Sequence, residues 1–197
     1  MSKIQHELTR GDILPMTEYG ERRKEKRAEI IEIKRNRRLE IGPHATLYFE
    51  SYDTMWHQVH EMLHTEQGGD KQIDDELNAY NPLIPNGSEL IATLMIEIDD
   101  PEKRQRFLAG IGGIEETLIL RMGGHEIKAQ AEQDIDRTTA DGKASSVHFL
   151  HFPFTADQVD TFKAGKEQIV IAIDKPGYQH MAVMPEAVRQ ALVGDFD

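Results

Sequence analysis

The chain predicts an α+β fold: a largely antiparallel sheet with a long N-terminal helix and several short helices packed on it. Three observations carry this reading. Thr17 to Arg38 consists of strong helix formers with no breaker after Gly20, strand-length apolar runs separated by turn signals follow from Glu89 onward, and Gly123-Gly124 joins two of those runs as a hairpin turn. Helices first, then hairpin-linked strands with short helices between them, is the order of an α+β domain. At 197 residues the chain suits one domain over 1–197, with a helical part over about 1–87 and a sheet-rich part over about 88–197.

Pro15, Thr17 and Glu18 mark the start of the first helix. Leu39 to Ser51 holds Gly42-Pro43 as a turn or kink and then Ala45-Thr46-Leu47-Tyr48-Phe49-Glu50, whose β-branched and aromatic content reads as a strand. Asp53 and Thr54 suit the cap of a helix that Gly68-Gly69 ends, and a further helix over Asp70 to Tyr80 leads into Asn81-Pro82-Leu83-Ile84-Pro85-Asn86-Gly87, a stiff turn-rich connection without regular structure. Strands are expected over Leu90 to Ile98, Thr117 to Met122, Glu126 to Ala131, Ser146 to Phe154 and Gln168 to Ile173. Pro101 to Gly110, Thr155 to Gly165 and Pro185 to Val193 read as helices, with Thr155 a cap and the two prolines in first turns. Asp134 to Ala144 reads as a polar, mobile loop.

Hydrophobic residues make up 39% and charged residues 29% of the chain, the profile of an ordinary folded protein. No apolar run reaches the roughly 18 to 20 residues that cross a bilayer, and Met1 to Pro15 lacks a signal-peptide core, so a cytoplasmic protein without membrane insertion is expected. The absence of Cys excludes disulfides, thiolate nucleophiles and Cys-ligated metal, leaving N and O atoms as the only ligands for any metal. The net charge of −12 is uneven: Glu21 to Arg38 holds nine Lys/Arg against four Glu, a local +5, leaving −17 elsewhere. That acidic body argues against nucleic-acid binding, while the basic segment reads as a solvated helix face or as a dock for an acidic surface.

His57-Gln58-Val59-His60-Glu61-Met62-Leu63-His64 is the most informative stretch. At about 100° per residue it sets His57, His60, Glu61 and His64 opposite Met55, Trp56, Val59, Met62 and Leu63, so the polar arc is expected to point away from the core that the helix seals. His60 to His64 fits H-E-x-x-H, in which two His one turn apart bind zinc and the intervening Glu is the general base; a third ligand is offered only loosely, by Glu76, Glu89 or Glu97. Glu66 falls in the apolar arc, where it needs a partner, unless the last turn before Gly68-Gly69 leaves it exposed at the helix end. Glu97 shares a face with Thr93 and Met95 and is expected on the solvent side of its strand, as is His148, which lies on the opposite face from His151. Glu50, Glu61, Glu66 and Glu97 with one or two His would form a carboxylate-rich set suited to iron or manganese. Gly110-Ile111-Gly112-Gly113 follows a helix and lacks the Lys-Ser/Thr of a phosphate loop, and no G-x-S-x-G elbow exists, so nucleotide and serine hydrolysis are not expected.

A set of motifs spans the chain from about Arg10 to the end: Phe49-Glu50 with Asp53-Thr54, Gln58 with Glu61-Met62-Leu63 and Glu66, Tyr80-Asn81 with Leu83-Ile84-Pro85, Glu89-Leu90 with Ala92-Thr93-Leu94, Ser146-Val147 with Phe152, and Pro176 with Tyr178. Together they resemble the uncharacterised bacterial family of domain of unknown function 3501. The resemblance implies a redox or peroxide-defence setting and a redox protein partner, and it favours Glu50, Gln58, Glu61, Glu66, Tyr80 and Asn81 as pocket residues. His57, His60 and His64 are not part of the family pattern, which weighs against zinc hydrolysis.

Three readings follow. The first is an accessory or binding protein with a carboxylate-lined pocket beside the Asp53 to Glu66 helix that takes a divalent metal (Zn, Fe or Mn), another cofactor or a partner. The second is a zinc-dependent hydrolase with His60 and His64 as ligands and Glu61 as base. The third is an interaction module that presents the basic helix and the Pro82 to Pro85 loop.

Overall fold

The computed structural model describes residues 3–132 and 143–197; most of the expected loop over 134–144 lies outside them. The long helix forms as α1, Met16–Arg35, but stops three residues earlier than expected. Arg37 is the reason: it is buried, and its guanidinium donates to the carbonyls of Phe49, Glu50 and Ala191 and to the Asp195 carboxylate, which pulls the chain out of the helix. The residues after it form a strand, β1 (Arg38–Ile41), which turns at Gly42 and pairs antiparallel with β2 (Ala45–Phe49). The helical first part of the chain thus contributes two strands.

Next come α2 (Tyr52–Glu66), α3 (Asp70–Tyr80) and a short 3-10 turn, Asn81–Leu83, inside the connection expected to be irregular. The second part runs β3 (Glu89–Ile96), α4 (Pro101–Gly110), β4 (Leu118–Met122), β5 (His125–Lys128), β6 (Gln130–Ala131), β7 (Val147–Pro153), α5 (Ala156–Ala164), β8 (Val170–Lys175), β9 (Tyr178–Val183) and α6 (Glu186–Val193). The strands form two antiparallel sheets, ordered β1-β2-β3-β7-β6 and β5-β4-β8-β9. The α+β expectation holds. Strand β9 was not anticipated; its sequence signal is Pro176-Gly177, where Gly177 takes φ +86° and closes a hairpin from β8.

Burial explains the layering. Leu90, Ala92, Leu94 and Ile96 on one face of β3 join Leu120, Ile171, Phe152 and Phe162 in the core between the two sheets. On its other face Ile91 packs with Met55, Val59, Leu63, Leu77 and Leu83 beneath α2 and α3. Buried on both faces, β3 is a continuous apolar run without alternation. Helix α1 lies outermost, across α2, and buries only Tyr19 and Ile30.

Candidate functional site

The N-cap of α2 is Ser51, not Asp53 or Thr54: Ser51 Oγ accepts from the Thr54 amide and Thr54 Oγ1 accepts from the Ser51 amide, a reciprocal capping box. Its apolar arc seals the layer beneath, as expected. Its histidine arc is partly covered by α1: His57, Glu61 and His64 are half-buried and His60 is fully buried, with Tyr19 and Trp56 rings at 4.9 and 3.8 Å between centroids. The Leu14 amide donates to His60 Nε2 at 3.0 Å, and His60 Nδ1 lies 2.7 Å from the Trp56 carbonyl. An amide can only donate, so Nε2 accepts and the ring proton sits on Nδ1, giving the neutral tautomer. Burial lowers the His60 pKa and favours the same form.

The nitrogen of His60 that would bind zinc is therefore engaged by the backbone, and this geometry does not favour the hydrolase reading of His60, Glu61 and His64. Among the described residues no three or more His, Asp or Glu side chains gather as a metal-binding group. The structure does not bring His57, His60 and His64 together on one ion.

Glu61 instead fastens α1 to α2. Its Oε1 accepts from the Tyr19 hydroxyl at 2.7 Å and from Arg23 Nε at 2.8 Å, its Oε2 accepts from Arg23 Nη2 at 2.8 Å, and Arg27 stands 3.8 Å away. The two-pronged guanidinium contact pulls the Glu61 carboxyl down to about 2, so it stays a carboxylate and is a poor general base. Burial and the same carboxylate raise the Tyr19 hydroxyl. His57 Nδ1 lies 3.4 Å from that hydroxyl, and burial lowers the His57 pKa. Sequence reasoning missed Tyr19 and Arg23, although a lone aromatic in an otherwise charged helix is a readable sign of a buried contact.

The remaining candidates are scattered. Glu50 is buried beneath β3 and accepts from Thr54 Oγ1 at 2.7 Å and Thr93 Oγ1 at 2.6 Å. Glu66 is exposed in the last turn of α2, which Gln67 closes with a left-handed cap, and not in the apolar layer; it accepts from Gln72 at 2.8 Å. Gln58 reaches the Tyr80 hydroxyl at 3.4 Å, and Asn81 bonds both the amide and the carbonyl of Leu8, holding the N-terminal segment down. Glu97 is exposed as expected, accepting from Tyr48 at 3.0 Å, but because it lies just past the end of β3: the face it was expected to share with Thr93 is covered, and Thr93 is buried. His148 is fully buried, contrary to expectation, and donates to the Ser145 carbonyl with Glu115 at 3.5 Å. His151, on the other face of β7, pairs with Glu89 at 3.0 Å.

A recess lies at the C-terminal end of α2. A cleft of about 680 Å³ opens between the segment leading into α1 and the turn from α2 to α3. Ile13, Leu14, Pro15, Met16, Leu63 and Ile73 make its apolar wall, and His64, Thr17, Gln67 and Arg10 bring polar groups to it. Arg10 is held in place by Asp70 and Asp74, with bonds of 2.7 to 2.9 Å.

A crystal structure described as a novel protein of unknown function from Burkholderia pseudomallei K96243 is similar to this chain at 38% identity, with a TM-score of 0.90 over 96% of this chain and 99% of that one. No curated protein matches. The model of the family described as protein of unknown function (DUF3501) matches residues 7–196. With nearly its whole length matched, the chain belongs to the DUF3501 family.

Proposed function

We propose that this protein is a non-catalytic binding protein that holds a small molecule in the cleft between the Ile13–Thr17 segment, the end of α2 and the start of α3. The ligand has an apolar body, to lie against Ile13, Leu14, Met16, Leu63 and Ile73, and a polar head that meets His64 and Thr17. The observation that supports this reading is the cleft itself: about 680 Å³ falls within the roughly 300 to 1,000 Å³ of small-molecule sites, which pair an apolar wall with a few polar groups. Glu61, tied up by Tyr19 and Arg23, serves the site by fixing α1, and with it the Met16 and Thr17 edge, against α2. An accessory role beside a redox enzyme, as the family resemblance implies, is compatible with a carrier or sensor of this kind.

The test uses 1-anilinonaphthalene-8-sulfonate, an apolar-bodied anion whose fluorescence rises in dry sites, together with native mass spectrometry of the purified protein. Saturable one-to-one dye binding, reduced at least tenfold by Ile73→Trp, is expected, since the indole would fill the cleft. Dye binding unchanged in that variant, with its melting temperature preserved, overturns the proposal.

A further inference from the structure

We propose that the outer face of α1 is a docking surface for an acidic protein segment carrying an apolar side chain that covers Ile31. This goes beyond the cleft and rests on different observations. At about 100° per residue, Lys24, Arg27, Ala28, Lys34 and Arg35 all fall within about 60° of Ile31 around the helix. The acids Glu21, Glu25, Glu29 and Glu32 fall outside that arc, and the buried residues Tyr19 and Ile30 lie on the side toward α2. The arc is therefore purely basic around one aliphatic centre.

This face is open. Ile31 is 62% exposed, and the side chains of Arg27 and Arg35 are 56% and 68% exposed. Its charge is only partly met within the molecule. Arg35 pairs with Glu32, whereas the carboxylate near Arg27 is Glu61 at 3.8 Å, already taken by Tyr19 and Arg23. Among the described residues, neither Lys24 nor Lys34 forms an ion pair; the acids of the helix pair with Arg22, Lys26 and Arg35.

Size and surroundings select the occupant. Lys24 to Arg35 spans about 16 Å at 1.5 Å per residue, room for two or three turns of a helix. A duplex nucleic acid would overhang onto a body that carries −17 outside Glu21 to Arg38. A compact acidic segment meets only the basic stripe, and a protein side chain can cover Ile31 where a phosphate backbone cannot.

The probe is a displayed library of random 16-residue peptides, selected on the wild-type protein and counter-selected on the K24E/K34E variant. Both side chains are exposed and form no ion pair among the described residues, so an unchanged melting temperature is expected and is checked. Selected peptides should be rich in Asp and Glu around a recurrent apolar residue. A synthetic copy should bind with an affinity that falls at least tenfold in the charge-reversed variant, at least threefold in Ile31→Ser, and not at all in the cleft-filling Ile73→Trp. Recovery of no peptide, of peptides without acidic bias, or of binding indifferent to Ile31→Ser overturns the proposal. So does tighter binding to a 20-base-pair duplex or to phosphatidylserine vesicles than to the best peptide.

Discussion

Glu61 and Glu50 show how one side-chain type acquires two environments. Glu61 sits between helices and is matched by a guanidinium fork, whereas Glu50 lies beneath β3 with, among the described residues, the hydroxyls of Thr54 and Thr93 on its oxygens. Removing one hydroxyl from each tests the difference. Tyr19→Phe leaves the Arg23 fork intact and should cost about 1 kcal/mol, the net worth of a typical hydrogen bond. Thr93→Val keeps the shape but leaves a buried carboxylate oxygen without its donor, and should cost about 2 to 3 kcal/mol. Urea unfolding midpoints at constant slope measure both; a larger loss for Tyr19→Phe than for Thr93→Val would contradict this account. Neither partner of these carboxylates was legible in the sequence, because Tyr19 and Glu61 are 42 positions apart and Thr93 and Glu50 are 43. Periodicity says which face a residue occupies, not which element will cover that face.

Elements whose cause is local were legible, and those decided by distant contacts were not. The caps, glycines and prolines of α3, α4 and α5 bracket those helices in the sequence much as they do in the structure. The end of α1 depends on Arg37 reaching Phe49, Glu50, Ala191 and Asp195, and β1 exists only because β2 is there to pair with it. Their junction is Gly42, where φ is +73° and an added Cβ would lie 2.6 Å from the His180 ring and 2.8 Å from the Tyr178 hydroxyl. That hydroxyl is itself spoken for, accepting from the amides of His44 and Ala45 and donating to the Ile41 carbonyl. Gly42→Ala should therefore destabilise the protein by at least about 1 to 3 kcal/mol, through positive-φ strain and displacement of β9 together. A thermal shift of less than about 2 °C would show that the β1–β2 corner yields more easily than its packing indicates.

Across the whole molecule, titration has opposite signs at different sites. His57 and His60 have lowered pKa values through burial, so their neutral forms support folding at neutral pH, and that support is lost as pH falls through the ordinary imidazole value near 6.5. His151 is raised by its bond to Glu89 and works the other way, its contribution fading as pH rises above that value. Glu61, depressed to about 2, adds stability that is complete above the ordinary carboxylate range and lost only as pH falls toward 2. With two imidazoles lowered and one raised, unfolding free energy should decline from pH 7.5 to 5.5 and again below pH 4.5. A rise in stability between pH 7.5 and 5.5 would refute the burial of the His57 and His60 pair as its cause. No helix among the described residues is long and apolar enough to cross a membrane.

The tautomer of His60 ties this acid response to the mouth of the cleft. A second proton would have to enter at Nε2, where the Leu14 amide already points its own hydrogen, so acidification sets donor against donor and loosens the strand of backbone that walls the recess. Deuterium uptake at Leu14 should accelerate more between pH 7 and 5.5, after correction for intrinsic exchange chemistry, than uptake at the β3 amides. On the proposed function, acidification would weaken the hold of the cleft on its ligand.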